Sequence, residues 1–148
     1  MATNAHEAIR HLLYRYCELM DAGDFEGMAA LFAQATLTEE HGHVVAEGYD
    51  GAHRLWAGGT QTYDGSPRTR HITANSIIEV ADDGNRATAR SSYVVFQATD
   101  ALALQPIITG RYRDAFALAD DGAWHFTERC FYVDHVGDLS HHLKYELR

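Results

Sequence analysis

Apolar residues in the first third of the chain recur at spacings of three and four, the pattern of one helix face. They occupy much of residues 8–20, and Gly23 follows, a residue that tolerates the left-handed conformation of a helix end. Asn4 has the residue type of an N-cap. The same pattern predicts a second helix over residues 25–33 and a third short helix over residues 52–56.

The rest of the chain has the pattern of β-strands. Two short segments, residues 35–39 and 44–47, are predicted to pair as a hairpin. Four longer strands are predicted at residues 71–81, 86–98, 107–119 and 124–135. Acidic and glycine residues separate consecutive strands, which predicts tight turns and an antiparallel meander. Helices followed by strands indicate an α+β fold, a single domain over residues 1–148 with three helices packed on a curved, mainly antiparallel sheet.

Composition narrows the possible partners. The chain has 148 residues, 46% of them hydrophobic, and 12 Lys and Arg against 21 Asp and Glu, for a net charge of −9. So acidic a chain is a poor nucleic-acid binder, because that affinity comes largely from neutralising phosphates. No apolar run approaches the length of a membrane span, and the first residues lack the pattern of a secretory signal. We therefore expect a cytoplasmic protein with neither a nucleic-acid nor a membrane partner.

The histidines and the missing motifs bear on cofactors. His41 and His43 alternate on a possible strand, and His141 and His142 lie in a polar C-terminal tail. Neither pair has the cysteine partners or the four-ligand set of a structural zinc site. We therefore interpret them as solvated loop histidines and expect no metal. The glycine-rich signatures of nucleotide binding are absent as well, and we expect no cofactor.

Three separated residues form the most informative candidate site. Asp21 ends the first predicted helix, His71 begins the first long strand, and Arg129 lies on the last strand. In a regular strand Asn75 shares a face with His71, which predicts that both face a ligand. From the residues alone, structural roles are favoured: a cap at Asp21, a core histidine at His71 and a surface ion pair at Arg129.

Local motifs around these residues carry a family resemblance. Met-Asp-Ala-Gly-Asp-Phe surrounds Asp21, Arg-His-Ile-Thr-Ala-Asn surrounds His71, and Asp-Gly-Ala-Trp-His-Phe precedes Arg129. Over nearly its whole length the chain resembles the SnoaL-like branch of the nuclear transport factor 2-like superfamily, and within it scytalone dehydratase and hexachlorocyclohexane dehydrochlorinase. The resemblance implies a cone-shaped α+β barrel with a highly curved sheet around an apolar pocket. It also implies a homo-oligomer of two or three chains.

The resemblance also implies catalytic roles. Asp21 and His71 match an Asp-His dyad in which the histidine is the general base, and Arg129 matches an arginine of the dehydrochlorinase. Phe96-Gln97 stands where the dehydratase has a second catalytic histidine, which implies a different substrate or leaving group. The expected function is therefore a cofactor-free lyase, a dehydratase-like elimination from a small cyclic or aromatic-like substrate.

Side chains that could bind such a substrate are mostly aromatic. Besides Asn75, the predicted set is Tyr16, Tyr49, Trp56, Tyr93, Phe96 and Tyr112, of which we expect about half to reach the pocket. Two alternatives remain open. One is an isomerase or polyketide cyclase that uses the same dyad. The other is a non-catalytic ligand-binding or assembly subunit, like the β subunit of ring-hydroxylating dioxygenases.

Overall fold

The computed structural model describes residues 4–147, which form three helices and one six-stranded sheet. The helices are α1 (Ala5–Ala22), α2 (Phe25–Leu31) and α3 (Gly48–Gly59). The strands are β1 (Thr36–Glu39), β2 (Val44–Glu47), β3 (Thr69–Val80), β4 (Arg86–Gln97), β5 (Gln105–Leu118) and β6 (Trp124–Val136). The predicted α+β class is confirmed, although α3 begins four residues before residue 52 and β3 begins two before His71.

The first helix ends in a tight turn. The side chain of Asn4 accepts a hydrogen bond from the His6 amide at 2.8 Å, which caps the start of α1. At the other end Gly23 has a φ of 71°, and its amide donates to the carbonyl of Met20 at 3.0 Å. A Cβ atom at Gly23 would lie 2.1 Å from the carbonyl oxygen of Gly65. Glycine is therefore required here, and the turn places the last residues of α1 against the chain that leads into β3.

The strand order of the sheet is β2-β1-β6-β5-β4-β3. The four long strands β3 to β6 form the predicted antiparallel meander, and β1 pairs with β2 as the predicted hairpin. The hairpin joins the meander through a parallel pairing of β1 with β6, which the sequence did not predict. Register shifts interrupt several of these pairings, and such bulges bend a sheet. The sheet is thus curved and mostly antiparallel.

The core lies between the helices and the inner face of the sheet. Its buried side chains include Leu13, Tyr16, Phe32, Val95, Phe116 and Phe126. Leu12 and Ile78 are only half-buried and pack against this core from its edge. Within residues 4–147, none of the helices combines the length and apolar character needed to cross a bilayer.

Candidate active site

Asp21 and His71, predicted as a pair, meet directly. His71 Nδ1 lies 2.7 Å from Asp21 Oδ1, and the same carboxylate accepts hydrogen bonds from the His71 amide and from the Thr69 hydroxyl at 2.9 Å. Because a carboxylate only accepts, Nδ1 carries the proton, a tautomer assigned from the hydrogen bonding. His71 Nε2 is left with a free lone pair.

The fold explains this contact. Asp21 lies in the last turn of α1, and the start of β3 binds to it through the main chain as well as through the imidazole. Arg70 approaches the carboxylate from the exposed side, with its Nε 3.9 Å from Asp21 Oδ2. With three short hydrogen bonds to its carboxylate, Asp21 holds the ring of His71 in one orientation.

His71 lies on the wall of a cavity of about 620 Å³. Four of the aromatic residues predicted to bind substrate share this wall, namely Tyr16, Trp56, Tyr93 and Tyr112. Burial raises the pKa of Tyr16 to about 12 and that of Tyr112 well above its usual range. Both phenols are therefore protonated at neutral pH and can donate a hydrogen bond. Polar residues Glu39, Glu40 and His41 complete part of the lining.

Three predicted binding residues do not reach the cavity. Tyr49 is exposed and its ring stacks on His53, with ring centres 6.4 Å apart. Asn75 is exposed because β3 has a bulge in which Ala74 has no partner on β4. The bulge shifts the alternation by one residue, so the prediction that Asn75 shares the face of His71 is wrong.

The third of these residues is Phe96, which lies on the outer face of β4. The alternation of this strand buries its neighbour Gln97 instead, at 1% exposure. The amide nitrogen of Gln97 donates to the carbonyl of Pro67 and to that of His141, both at 3.0 Å. The position predicted to bind substrate therefore holds a side chain that faces away from the cavity.

Arg129 does not join the dyad, and its predicted place in a catalytic trio needs correction. It is fully buried and makes two hydrogen bonds to Asp114, at 2.7 and 3.1 Å. Its guanidinium carbon lies 3.8 Å from the ring centre of Tyr112 and 4.4 Å from that of Tyr16. Tyr16 in turn contacts His71 edge-on, with ring centres 6.0 Å apart. The arginine thus lies behind the aromatic wall and is not part of the cavity lining.

His142 does contribute to the cavity, which the sequence did not predict. It is 5% exposed, and its ring centre lies 6.0 Å from that of His71. Burial and the neighbouring His71 lower the pKa of His142 to about 4, while Asp21 opposes this shift weakly. The interpretation of His142 as a solvated loop residue is therefore wrong. No local pattern marks it, because its burial depends on contacts with residues distant in sequence.

The other histidine pair lies at the edge of the cavity. His43 Nδ1 is 3.0 Å from Glu39 Oε1 and is largely exposed, while His41 is part of the lining. Over residues 4–147, no group of three or more His, Cys, Asp or Glu side chains is arranged to hold a metal ion.

The fold, three helices packed on a curved sheet, is shared with an NTF2-like protein of known structure. The SnoaL-like domain model matches residues 1–130, and the chain belongs to that family. No curated protein matches the chain.

Solved structures that are similar to this chain include proteins described with different functions. A protein of unknown function from Mycobacterium tuberculosis is 27% identical, with a TM-score of 0.71 over 88% of this chain and 72% of that one. A scytalone dehydratase candidate from Novosphingobium aromaticivorans is 21% identical, with a TM-score of 0.71 over 97% and 89%. LinA, a hexachlorocyclohexane dehydrochlorinase, is 19% identical, with a TM-score of 0.71 over 92% and 90%. At identities this low the last two show the shared fold alone.

Proposed function

We propose that this protein is a cofactor-free lyase that eliminates water or another β-leaving group from a small cyclic or aromatic-like substrate. The observation that carries the proposal is the Asp21–His71 pair, joined at 2.7 Å on the wall of a cavity of about 620 Å³. A general base must present a free lone pair to its substrate, and His71 Nε2 meets that requirement.

The reaction begins with the transfer of a proton from carbon to His71 Nε2. The electron pair of the broken C–H bond forms the new double bond, and the leaving group departs from the adjacent carbon with the electrons of its own bond. Asp21 stabilises the imidazolium that forms, because its carboxylate already accepts a hydrogen bond from the Nδ1–H group. The protonated phenols of Tyr16 and Tyr112 are available as donors to a substrate oxygen.

The alternatives differ in the step after proton transfer. An isomerase or cyclase with the same dyad would return the proton to another carbon or form a carbon–carbon bond. A non-catalytic subunit would need neither a free base nor an open cavity, and this site has both. The scytalone dehydratase candidate and LinA share the fold, which agrees with an elimination and does not decide between substrates.

A screen with dyad variants tests the proposal. Cyclic hydroxy-ketones and phenolic diols are incubated with the wild type, and elimination or isomerisation is followed by ultraviolet absorbance. His71→Ala removes the base, and we expect turnover to fall by roughly a hundredfold to ten-thousandfold. Asp21→Asn keeps the shape of the side chain without its charge and should cost nearly as much. Because the two residues act as a unit, the double variant should be little worse than either single one.

His6→Gln is the matched control, since His6 is exposed and lies near the start of α1. Thermal melts of every variant separate lost chemistry from lost folding. A folded His71→Ala protein that keeps wild-type turnover would rule out the lyase. The products distinguish elimination from isomerisation in the same assay.

We also propose that the chain forms a homo-oligomer of two or three copies. β3 is an edge strand of the sheet and exposes Ile72 and Ile77, and an apolar edge strand can pair with another chain. Sedimentation at micromolar concentration should give a mass of two or three chains, and a monomeric mass would contradict the proposal.

A further inference from the structure

The cavity contains a second imidazole that the proposed reaction does not yet use. His142 lies on its wall beside His71, with the two ring planes at 63° to each other. Neither ring nitrogen of His142 has a hydrogen-bond partner among residues 4–147, and Nδ1 is wholly buried. A buried polar side chain without a partner is uncommon and calls for an explanation.

Hydrogen bonds to the main chain at and beside His142 fix its position. The His142 carbonyl accepts from the Gln61 amide at 2.8 Å, and its own amide donates to the Leu139 carbonyl at 3.0 Å. The Tyr63 hydroxyl and the Gln97 amide both donate to the carbonyl of His141, at 2.6 and 3.0 Å. Contacts from three separate parts of the chain therefore hold this imidazole against the cavity.

Gln61 contributes a second set of contacts to the same segment. Its side-chain nitrogen donates to the carbonyls of Ser140 and Leu143, at 2.7 and 2.6 Å. Side chains that bind main-chain atoms on either side of His142 orient the residue before any ligand arrives. A binding group that is oriented in advance loses little entropy when a ligand binds.

The surroundings also decide the protonation state of His142. A doubly protonated ring would bury an N–H at Nδ1 with no acceptor, which is unfavourable. The same argument places the single proton of the neutral ring on Nε2. Burial lowers the pKa of His142 to about 4, so the ring is neutral at pH 7. His142 thus offers the cavity a neutral N–H donor, whereas His71 offers a lone pair.

We infer that His142 donates a hydrogen bond to a carbonyl oxygen of the substrate, which makes the substrate a ketone whose neighbouring carbon gives its proton to His71. This inference deepens the proposed function and rests on it. The C–H bond breaks, its proton moves to His71 Nε2, and its electron pair moves toward the carbonyl oxygen. The same pair then expels the leaving group from the next carbon. His142 donates a hydrogen bond throughout and never transfers its proton.

The placement of the two rings agrees with one acting as hydrogen-bond donor and the other as proton acceptor. Their centres are 6.0 Å apart, so one small molecule can contact both with neighbouring atoms. A neutral imidazole with a lowered pKa polarises a carbonyl effectively, because it donates a hydrogen bond while adding no competing positive charge. The hydrogen bond strengthens as negative charge builds up on the oxygen.

A pair of probes that differ only in the carbonyl tests the inference without any turnover. The ketone α-tetralone and the hydrocarbon tetralin share one bicyclic skeleton, and calorimetric titration measures the affinity of each. His142→Phe keeps a ring and removes the donor. We expect the ratio of ketone affinity to hydrocarbon affinity to fall by roughly threefold to tenfold in this variant. His142→Gln restores an N–H donor and should recover most of the ratio.

His141→Phe is the matched control, since its side chain is outside the cavity lining, and it should leave the ratio unchanged. Tetralin binding by His142→Phe shows that the cavity is still formed. An equal ratio in wild type and His142→Phe overturns the inference, and so does a failure of α-tetralone to bind the wild type more tightly than tetralin. Wild-type activity of the His71→Ala protein would instead contradict the lyase proposal without affecting this binding measurement. Failure of the lyase proposal and failure of the inference about His142 are therefore distinguishable.

Discussion

The molecule contains two carboxylate-centred pairs, and they differ in what surrounds them. Asp21 and His71 meet at the cavity, and the imidazole keeps one nitrogen free for a ligand. Asp114 and Arg129 meet on the other side of Tyr16, where both side chains are fully buried. Burial disfavours the charged guanidinium, yet Asp114 outweighs this effect and the pKa of Arg129 lies above its ordinary value. The first pair thus borders the cavity, whereas the second is a fixed ion pair of the core.

Arg129→Met should give the largest change in stability. Without the guanidinium the Asp114 carboxylate is left buried and unpaired, which typically costs about 3–5 kcal/mol. Urea denaturation measures this loss. The matched control is Arg111→Met, which breaks a half-exposed ion pair to Asp134 between the same two strands and should cost less than about 1 kcal/mol.

The double variant Arg129→Met with Asp114→Leu sharpens the result. It removes both charges, and it should be more stable than Arg129→Met alone because no uncompensated carboxylate remains. Equal losses in Arg129→Met and Arg111→Met would show that the buried pair has no special role, and would remove the contrast between the two regions.

A change in pH should have an intermediate effect on stability, through His142 in the cavity wall. His142 has its pKa lowered from 6.5 in the unfolded chain to about 4 in the folded one, chiefly by burial and then by His71. The unfolded chain therefore binds more protons between these values, and stability falls as the pH drops from about 6.5 to about 4. This residue should account for a loss of about 2 kcal/mol between pH 7 and pH 5.

Denaturation of wild type and His142→Phe at pH 7 and pH 5 isolates that contribution. The variant should lose about 2 kcal/mol less than the wild type over this interval, whereas His141→Phe should behave like the wild type. Identical pH dependence in the wild type and His142→Phe would contradict the prediction. The Arg129–Asp114 pair is common to all three proteins, so its contribution cancels.

The smallest expected change in stability comes from Tyr93, in the aromatic wall between the Asp21–His71 and Asp114–Arg129 pairs. Its hydroxyl donates to the carbonyl of Tyr132 at 2.9 Å, and its ring stacks on Tyr112, which covers Arg129. A Cβ atom at Gly110 would lie 1.9 Å from that carbonyl oxygen, so the glycine is needed for this close contact. Tyr93→Phe should cost about 1 kcal/mol in urea denaturation.

The control for this substitution is Tyr14→Phe, since Tyr14 is 47% exposed and its hydroxyl makes no hydrogen bond within residues 4–147. It should change stability by less than about 0.5 kcal/mol. If the two substitutions prove equal, the Tyr93 hydroxyl does not stabilise the wall.

Local patterns predict the helices and the strands, and periodicity identifies α1. The Asp21–His71 pair is implied by the family resemblance, because the residues alone also allow structural roles for both side chains. The prediction that Asn75 faces the cavity fails because a single bulge at Ala74 exchanges the two faces of β3 beyond it. Alternation assumes a regular strand, and no local signal in this stretch marks the extra residue.

Arg129 and His142 show a second limit of prediction from local sequence patterns. A bulge at Thr127 brings Arg129 onto the inner face of β6, directly opposite Asp114 on β5. That pairing depends on the register of two strands, which a charge on one strand alone does not reveal. His142 lies beyond the residues matched by the family, and its segment is held by Gln61 and Tyr63, which follow α3, and by Gln97 on β4. Both positions are consequences of tertiary structure.

The C-terminal wall of the cavity has a practical consequence for handling this protein. The lining includes His142, Leu143, Tyr145 and Leu147, so a label attached to one of these side chains lies beside the site. The other end of the chain leads into Ala5, and the 18 residues of α1 span roughly 27 Å before the helix reaches its end near Asp21. A fluorescent label attached at Ala5 is thus kept away from the Asp21–His71 pair by nearly the length of α1.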